Sequence, residues 1–172
     1  MTEPRIPPLP PEEWSDALRA VLDGMGRPMN IFTTIGRHPK LFQDWSRFGG
    51  RLLMRGALPE RDRELAILRT ATNTGSRYEW AQHVRIGRAA GLSDAEIEAV
   101  GRDLDEHDWD PGERLVLEAA DELHRTNDLS DATWARLAER YDERQLIEFP
   151  LLVGHYVMVA FTLNSLRVQI ED

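Results

Sequence analysis

The chain has 172 residues, of which 41% are hydrophobic, and it carries no cysteine and a formal net charge of -9. The acidic balance argues against binding to nucleic acid or to an anionic membrane surface, and the lack of cysteine excludes disulfides, thiolate metal sites and thiol peroxidase chemistry. Composition is even along the chain, which predicts one domain over residues 1–172 with a proline-rich N-terminal arm over residues 1–11. We find neither a leader-like apolar region nor a stretch that approaches the roughly 20 apolar residues of a membrane span, so we expect a cytoplasmic protein.

Apolar residues recur at helical spacing along the chain, which predicts an all-α fold, a single-domain helical bundle. Turn and capping residues bound the predicted helices, which in chain order are Pro11 to about Gly24, Pro39 to about Gly56, Glu60 to about Thr72, Ser76 to about Ala90, a short helix capped by Ser93, Pro111 to about Arg125, a helix capped by Ser130 or Asp131, and a strongly apolar stretch that begins at Asp142 and extends to Val168. The last stretch is apolar on nearly all sides, so we expect it to be central or to lie at a subunit interface. Pro150 is expected to kink or split it.

Two of these helices carry residues suited to acid–base chemistry. Glu79 and His83 are four residues apart, so they share one helix face, where the carboxylate can orient the imidazole. Glu64 lies on the preceding helix, and a hairpin across residues 73–75 brings that helix alongside. The pattern predicts an acid–base site of Glu64, Glu79 and His83, with His124 and His155 as weaker candidates.

By its spacing, a set of four residues resembles the motif of the carboxymuconolactone decarboxylase family in the alkyl hydroperoxidase D-like superfamily. These residues are Glu64, Ser76, Glu79 and His83. In that motif a glutamate is followed twelve residues later by the first position of a Cys-x-x-Cys, and a histidine stands four residues beyond the second cysteine. Ser76 and Glu79 occupy the cysteine positions here. Residues 78–83 resemble the Tyr-Glu-Trp-x-x-His variant of the branch without thiols, and the motif core spans residues 59–91.

The resemblance implies a carboxy-lyase of the decarboxylase type that uses no metal and no organic cofactor and acts on a small carboxylated lactone or a related unsaturated acid. It implies that His83 moves the proton, that Glu79 orients His83, and that Glu64 holds the site or accepts a substrate hydroxyl. It further implies a homo-oligomer, a trimer or a hexamer, with no membrane or nucleic-acid partner. The implied substrate-binding residues are Tyr78, a candidate oxyanion donor, Trp80 and Ser76.

Other interpretations of the same residues remain open. A hydratase or isomerase can use the same acid–base site on a different substrate, and a non-catalytic binding or scaffold protein needs no site at all. Ser76 and Glu79 also have the spacing of a helix capping box. The charged run of residues 60–64 can form ordinary surface ion pairs. Glu64, Glu79 and His83 supply one histidine and two carboxylates, a type of ligand set found in helical metal sites. The second Glu-x-x-His element of such sites is missing from the sequence.

Overall fold

The computed structural model describes residues 3–171, and within them it contains helices and no strand, which confirms the predicted all-α class. Nine α-helices occur in this part of the chain: α1 (Asp16–Asp23), α2 (Asn30–Ile35), α3 (Pro39–Arg55), α4 (Glu60–Asn73), α5 (Arg77–Ala89), α6 (Asp94–Val100), α7 (Pro111–Thr126), α8 (Asp131–Arg140) and α9 (Glu143–Leu166). Two single-turn 3-10 helices, Pro11–Glu13 and Leu104–Glu106, accompany them.

Local capping chemistry sets the start of several helices where the sequence predicts it. Ser93 and Glu96 form a reciprocal capping box at the start of α6. Asp110 caps α7 by accepting a hydrogen bond from the Gly112 N–H, with a proline at the first helical position. Short-range hydrogen bonds of this kind depend on neighbouring residues alone, which is why the sequence reveals them.

The N-terminal prediction was wrong in two places. Residues 11–13 form only a 3-10 turn, and α1 begins at Asp16, because the Ser15 hydroxyl accepts a hydrogen bond from the Leu18 N–H and caps a new helix there. The six-residue helix α2 was not predicted. It is too short to show a full apolar period, and its N-cap residue Met29 makes no side-chain cap.

The described chain forms two compact units, residues 3–55 with 162–171, and residues 56–161. The first unit has a core of buried apolar side chains from its N-terminal segment and from α1 and α3: Leu9, Leu18, Leu22 and Phe42. Phe42 packs edge-on against Phe32 at 6.2 Å between ring centroids. A backbone hydrogen bond from the Arg5 N–H to the Leu166 carbonyl joins the N-terminal and C-terminal segments of this unit.

The second unit is built around α4, which packs against α5, α6 and α7. Nine of its fourteen residues are buried, and three of these nine are charged. The buried residues are Asp62, Arg63, Glu64, Leu65, Ala66, Ile67, Leu68, Thr70 and Ala71. A helix surrounded on several sides has no solvent face on which to place charges. Its charged side chains therefore need partners inside the protein.

Helix α9 runs without interruption from Glu143 to Leu166, so Pro150 does not split it. The proline removes a single N–H donor, and the buried neighbours Phe149 and Leu152 hold the helix on either side of it. By length and composition α9 could cross a membrane, which corrects the expectation that no stretch approaches such a span. Less than half of its apolar window is buried, and a core helix passes the same test, so this is weak evidence for a membrane location.

Candidate active site

Helices α4 and α5 form a hairpin that brings the two halves of the predicted motif together. Gly75, at φ 62° in the left-handed region, makes the turn between them. Gly87 on α5 lets the helices approach closely, because a Cβ atom there would lie 3.4 Å from Leu68 Cδ1 of α4 and 3.1 Å from Leu92 Cδ1. The prediction that Glu64 comes within reach of His83 is confirmed in this geometry.

A buried hydrogen bond joins Glu64 and His83. Glu64 Oε2 lies 2.7 Å from His83 Nδ1, and the two residues are 0% and 6% exposed. A ring nitrogen that bonds a carboxylate carries its hydrogen, so Nδ1 is the donor. The family resemblance implied that Glu79 orients His83, but the carboxylate that the structure shows bonded to His83 is that of Glu64. With Nδ1 engaged, Nε2 is the remaining ring nitrogen.

Arg63 extends this pair. Its Nε donates to Glu64 Oε1 at 3.0 Å, and its side chain is 9% exposed. Asp62, the next residue back, is also buried, and it accepts hydrogen bonds from Arg140 and from the Tyr141 hydroxyl. The interpretation of residues 60–64 as a run of surface ion pairs is therefore wrong for Asp62, Arg63 and Glu64, because this part of α4 lies inside the unit.

Glu79 is buried without a hydrogen bond. It is 2% exposed, and neither of its oxygens nor the Ser76 hydroxyl has a hydrogen-bonding partner among the described residues. Burial raises the pKa of the Glu79 carboxyl well above its ordinary value, with only the nearby Ser76 hydroxyl acting in the opposite direction. The capping-box interpretation is wrong, because Ser76 precedes α5 but makes no side-chain cap. Glu79 is thereby favoured as a neutral carboxylic acid.

Tyr156 of α9 completes the arrangement. Its ring meets the His83 ring edge-on at 5.0 Å between centroids. Burial raises the pKa of Tyr156 well above its ordinary value, the charge of Glu64 raises it further, and the charge of Arg63 lowers it. The Tyr156 hydroxyl therefore lies within the electrostatic influence of the Arg63–Glu64 pair. We call these five residues the acid–base cluster: Arg63, Glu64, Glu79, His83 and Tyr156.

The sequence analysis missed Arg63 and Tyr156 as members of the cluster. The signal for Tyr156 was available, since a tyrosine inside a strongly apolar helix needs a polar environment for its hydroxyl. Its neighbour His155 is buried as well, and burial lowers the pKa of that imidazole to about 4. His124 is exposed in the last turn of α7 and lies outside the cluster.

The remaining predicted site residues are placed less centrally. Tyr78 is buried, at 5% exposure, one residue before Glu79 on α5. Trp80 is partly buried and lies beside Gly101, where a Cβ atom would be 3.5 Å from the indole ring. Among the described residues no group of three or more histidine, aspartate or glutamate side chains is placed to hold a metal ion.

A cleft of about 530 Å³ lies elsewhere in the second unit. None of its lining residues belongs to the acid–base cluster. Its arginines have partners already, as with Arg69, which bonds both carboxylate oxygens of Asp121 at 2.6 and 2.7 Å. Saturated ion pairs of this kind are typical of structural roles, so the buried cluster is the better candidate for chemistry.

The fold recurs in solved structures of low sequence identity. A peroxidase-related protein from Ralstonia eutropha JMP134, with an alkylhydroperoxidase AhpD core, matches with a TM-score of 0.86 and 18% identity over 99% of this chain and 95% of that one. A peroxidase-related protein from Silicibacter sp. TM1040 matches with a TM-score of 0.85 and 14% identity over the same shares. The apo debrominase Bmp8 matches with a TM-score of 0.81 and 19% identity over 96% of this chain and 91% of that one.

These likenesses define the class of protein: an all-helical protein with the AhpD-like fold, which at least one enzyme, the debrominase, shares. Residues 39–122 match the model of the carboxymuconolactone decarboxylase family. The segment contains Arg63, Glu64, Glu79 and His83 but not Tyr156. No curated protein matches the sequence significantly.

Proposed function

We propose that the protein is a cofactor-independent lyase of the decarboxylase type that acts on a small carboxylated lactone or a related unsaturated acid. The observation that carries the proposal is the buried Glu64–His83 hydrogen bond beside a buried glutamic acid, Glu79, that has no hydrogen bond. An oriented imidazole and a neutral carboxylic acid are the two components that proton-coupled chemistry without a metal requires.

The reaction places specific demands on these groups. When the C–C bond to the carboxylate breaks, carbon dioxide leaves and the electron pair passes into the conjugated ring carbonyl, which becomes a dienolate. Protonation of carbon then completes the exchange. In our proposal Glu79 donates a hydrogen bond to the developing oxyanion, and His83, in its imidazolium form with Nδ1–H held by Glu64, delivers the proton from Nε2. Solvent returns the proton to His83.

The state of Glu79 explains why an acidic side chain suits this site. A charged carboxylate would repel both the substrate carboxylate and the dienolate. A buried carboxylic acid instead donates a hydrogen bond that strengthens as the oxyanion forms, and the low dielectric of the interior increases that effect. This revises the role that the sequence suggested for Glu79, from orienting His83 to stabilising charge.

The unmade cap at α5 favours an enzyme over the scaffold alternative. In a scaffold Ser76 and Glu79 would serve as capping residues, and they form no such bonds. Burying unsatisfied polar groups costs stability, so their retention is easier to explain by chemistry than by folding. A hydratase or isomerase would use the same groups, and screening of unsaturated acids separates those reactions by product.

The direct test is to incubate the purified protein with carboxymuconolactone and to follow carbon dioxide release. We expect turnover in the wild type and a loss of about 10²- to 10⁴-fold in His83→Ala, the range that general acid–base residues contribute. His124→Ala is the matched control and should keep full turnover, and circular dichroism verifies that each variant is folded. Undiminished turnover in His83→Ala would remove the histidine from the mechanism.

We also propose that the protein is a cytoplasmic homo-oligomer that associates through the outer face of α9. Four large apolar side chains lie exposed there at the spacing of one helix face: Ile147, Leu151, Met158 and Phe161. Gly154 lies between them, and a Cβ atom there would meet nothing within 4 Å, so a second helix could approach closely. Light scattering should show an oligomer that Leu151→Glu dissociates and Met54→Glu, an exposed control on α3, does not.

A further inference from the structure

Arg63 has more hydrogen-bonding capacity than the protein uses. A guanidinium presents five N–H donors in a planar fork, and Arg63 spends one of them, from Nε to Glu64. This is the one hydrogen bond that the described residues show for the guanidinium, and it leaves the Nη1 and Nη2 edge unassigned. The side chain is 9% exposed, so only a small part of it reaches solvent.

Two other arginines of this unit behave differently. Arg69 is less buried, at 12% exposure, yet it donates two hydrogen bonds to Asp121 and two to backbone carbonyls. Arg140, at 35%, makes three to Asp62. Each of these two arginines donates three or more hydrogen bonds within the protein. Arg63 is the more buried of the three and the least satisfied.

The charges around Arg63 favour an anion. Glu64 is the one charged carboxylate bonded to it, and that carboxylate is shared with His83. Glu79, the other carboxyl group of the cluster, is favoured in its neutral form and adds no repulsion. Two parallel N–H groups on one guanidinium edge match the two oxygens of a carboxylate, which is the geometry that arginine binds best.

We infer that Arg63 is the residue that binds the substrate's carboxylate, through the edge formed by Nη1 and Nη2, while its Nε keeps Glu64 in position. The inference rests on the proposed function for the identity of the ligand as an organic acid. The carboxylate bound in this way is one that the reaction leaves in place, because a guanidinium on a departing carboxylate would stabilise the ground state more than the transition state.

The consequence is that Arg63 confers selectivity for charge. A ligand whose carboxylate is replaced by a neutral amide keeps its shape but loses the two charge-assisted hydrogen bonds. Loss of charged hydrogen bonds of this kind lowers affinity by about tenfold or more. A residue that acted only by holding Glu64 would affect acid and amide alike.

The test measures binding of benzoate against benzamide, and of acetate against acetamide, by isothermal titration calorimetry at pH 7. We expect the wild type to prefer the acid in at least one pair. Arg63→Met should abolish that preference by weakening the acid at least about tenfold while leaving the amide unchanged. Arg144→Met, a change at an arginine with 85% side-chain exposure, is the matched control and should keep the preference.

Arg63→Lys covers the case in which Arg63→Met does not fold. The ammonium group keeps an ion pair with Glu64 but cannot present a fork, so the acid should weaken severalfold and the amide should not. A wild type with no preference in either pair, or a preference that survives loss of the guanidinium in a folded variant, overturns the inference.

The binding assay also separates this inference from the proposed function. Carboxylate binding that depends on Arg63 in a protein that turns over no acid would leave the inference standing and remove the lyase proposal. Turnover that depends on His83, with a KM that Arg63→Lys leaves unchanged, would support the lyase proposal and overturn the inference about Arg63.

Discussion

Two buried carboxyl groups in the second unit differ in almost every respect except burial. Asp62 on α4 and Glu79 on α5 are 3% and 2% exposed. Asp62 accepts three hydrogen bonds from Arg140, at 2.9, 2.9 and 3.2 Å, and one from the Tyr141 hydroxyl at 2.6 Å. Glu79 accepts none. One carboxylate is fully satisfied, and the other carboxyl has been left with its pKa raised by burial.

The difference separates two uses of a buried acid. A saturated carboxylate links α4 to the end of α8 and stabilises the fold, because breaking it would strand a charged partner. An unsatisfied one costs folding free energy and is tolerated where its hydrogen-bonding capacity serves another purpose. The predictions below test whether the two groups differ in this way.

The largest effect is expected at Asp62. Asp62→Ala leaves the guanidinium of Arg140 and the hydroxyl of Tyr141 without their shared acceptor, so the free energy of unfolding should fall by about 3 kcal/mol. Urea denaturation measures the change directly. A loss below about 1 kcal/mol would mean that the network is not structural.

A second effect concerns His155, which is buried next to Tyr156. Its folded pKa of about 4 lies below the ordinary value of 6.5, so the folded state binds fewer protons and stability is lost as the pH falls through that window. The loss attributable to His155 should be about 2 kcal/mol at pH 5 relative to pH 7. His155→Gln should remove that part of the acid sensitivity, as measured by urea denaturation at both pH values. Equal sensitivity in variant and wild type would contradict the prediction.

The third effect has the opposite pH dependence. The folded pKa of Glu79 is raised, so the folded state binds more protons, and stability falls as the pH rises above the unfolded value near 4.5. Relative to Glu79→Gln, the wild type should lose stability at up to about 1.4 kcal/mol per pH unit above that value. The slope is read from unfolding curves between pH 5 and pH 7, and a flat difference would show that Glu79 is ionised in the folded protein.

The smallest effect is expected for an exposed pair. Arg102 and Glu98 on the surface are 52% and 66% exposed and form an ion pair at i and i+4. Arg102→Ala should change the free energy of unfolding by less than about 0.5 kcal/mol, and the change should vanish in 1 M salt. It serves as the baseline against which the changes at the buried groups are read.

Helix positions and the meeting of Glu64 with His83 were predictable from the sequence, and the partners of the buried charges were not. The caps at Ser93 and Asp110 depend on residues within three positions, and the α4–α5 hairpin follows from a single turn at Gly75. By contrast, the acceptor of the Arg140 fork lies 78 residues away in the chain. Local patterns cannot specify such a partner.

The sequence by itself determined the all-helical class, the motif and the absence of thiol chemistry, because these depend on periodicity, spacing and residue type. Tertiary structure decided which helix lies at the centre of the second unit. The apolar run of α9 predicted a helix that is central or lies at a subunit interface. The charged helix α4 lies at the centre, while α9 leaves one apolar face exposed. It also decided that Glu64, not Glu79, bonds His83. The reason is physical, because burial and hydrogen-bond partners are properties of packing between helices. From the sequence alone a charged residue is expected to be exposed, since a buried partner becomes known only from the packing.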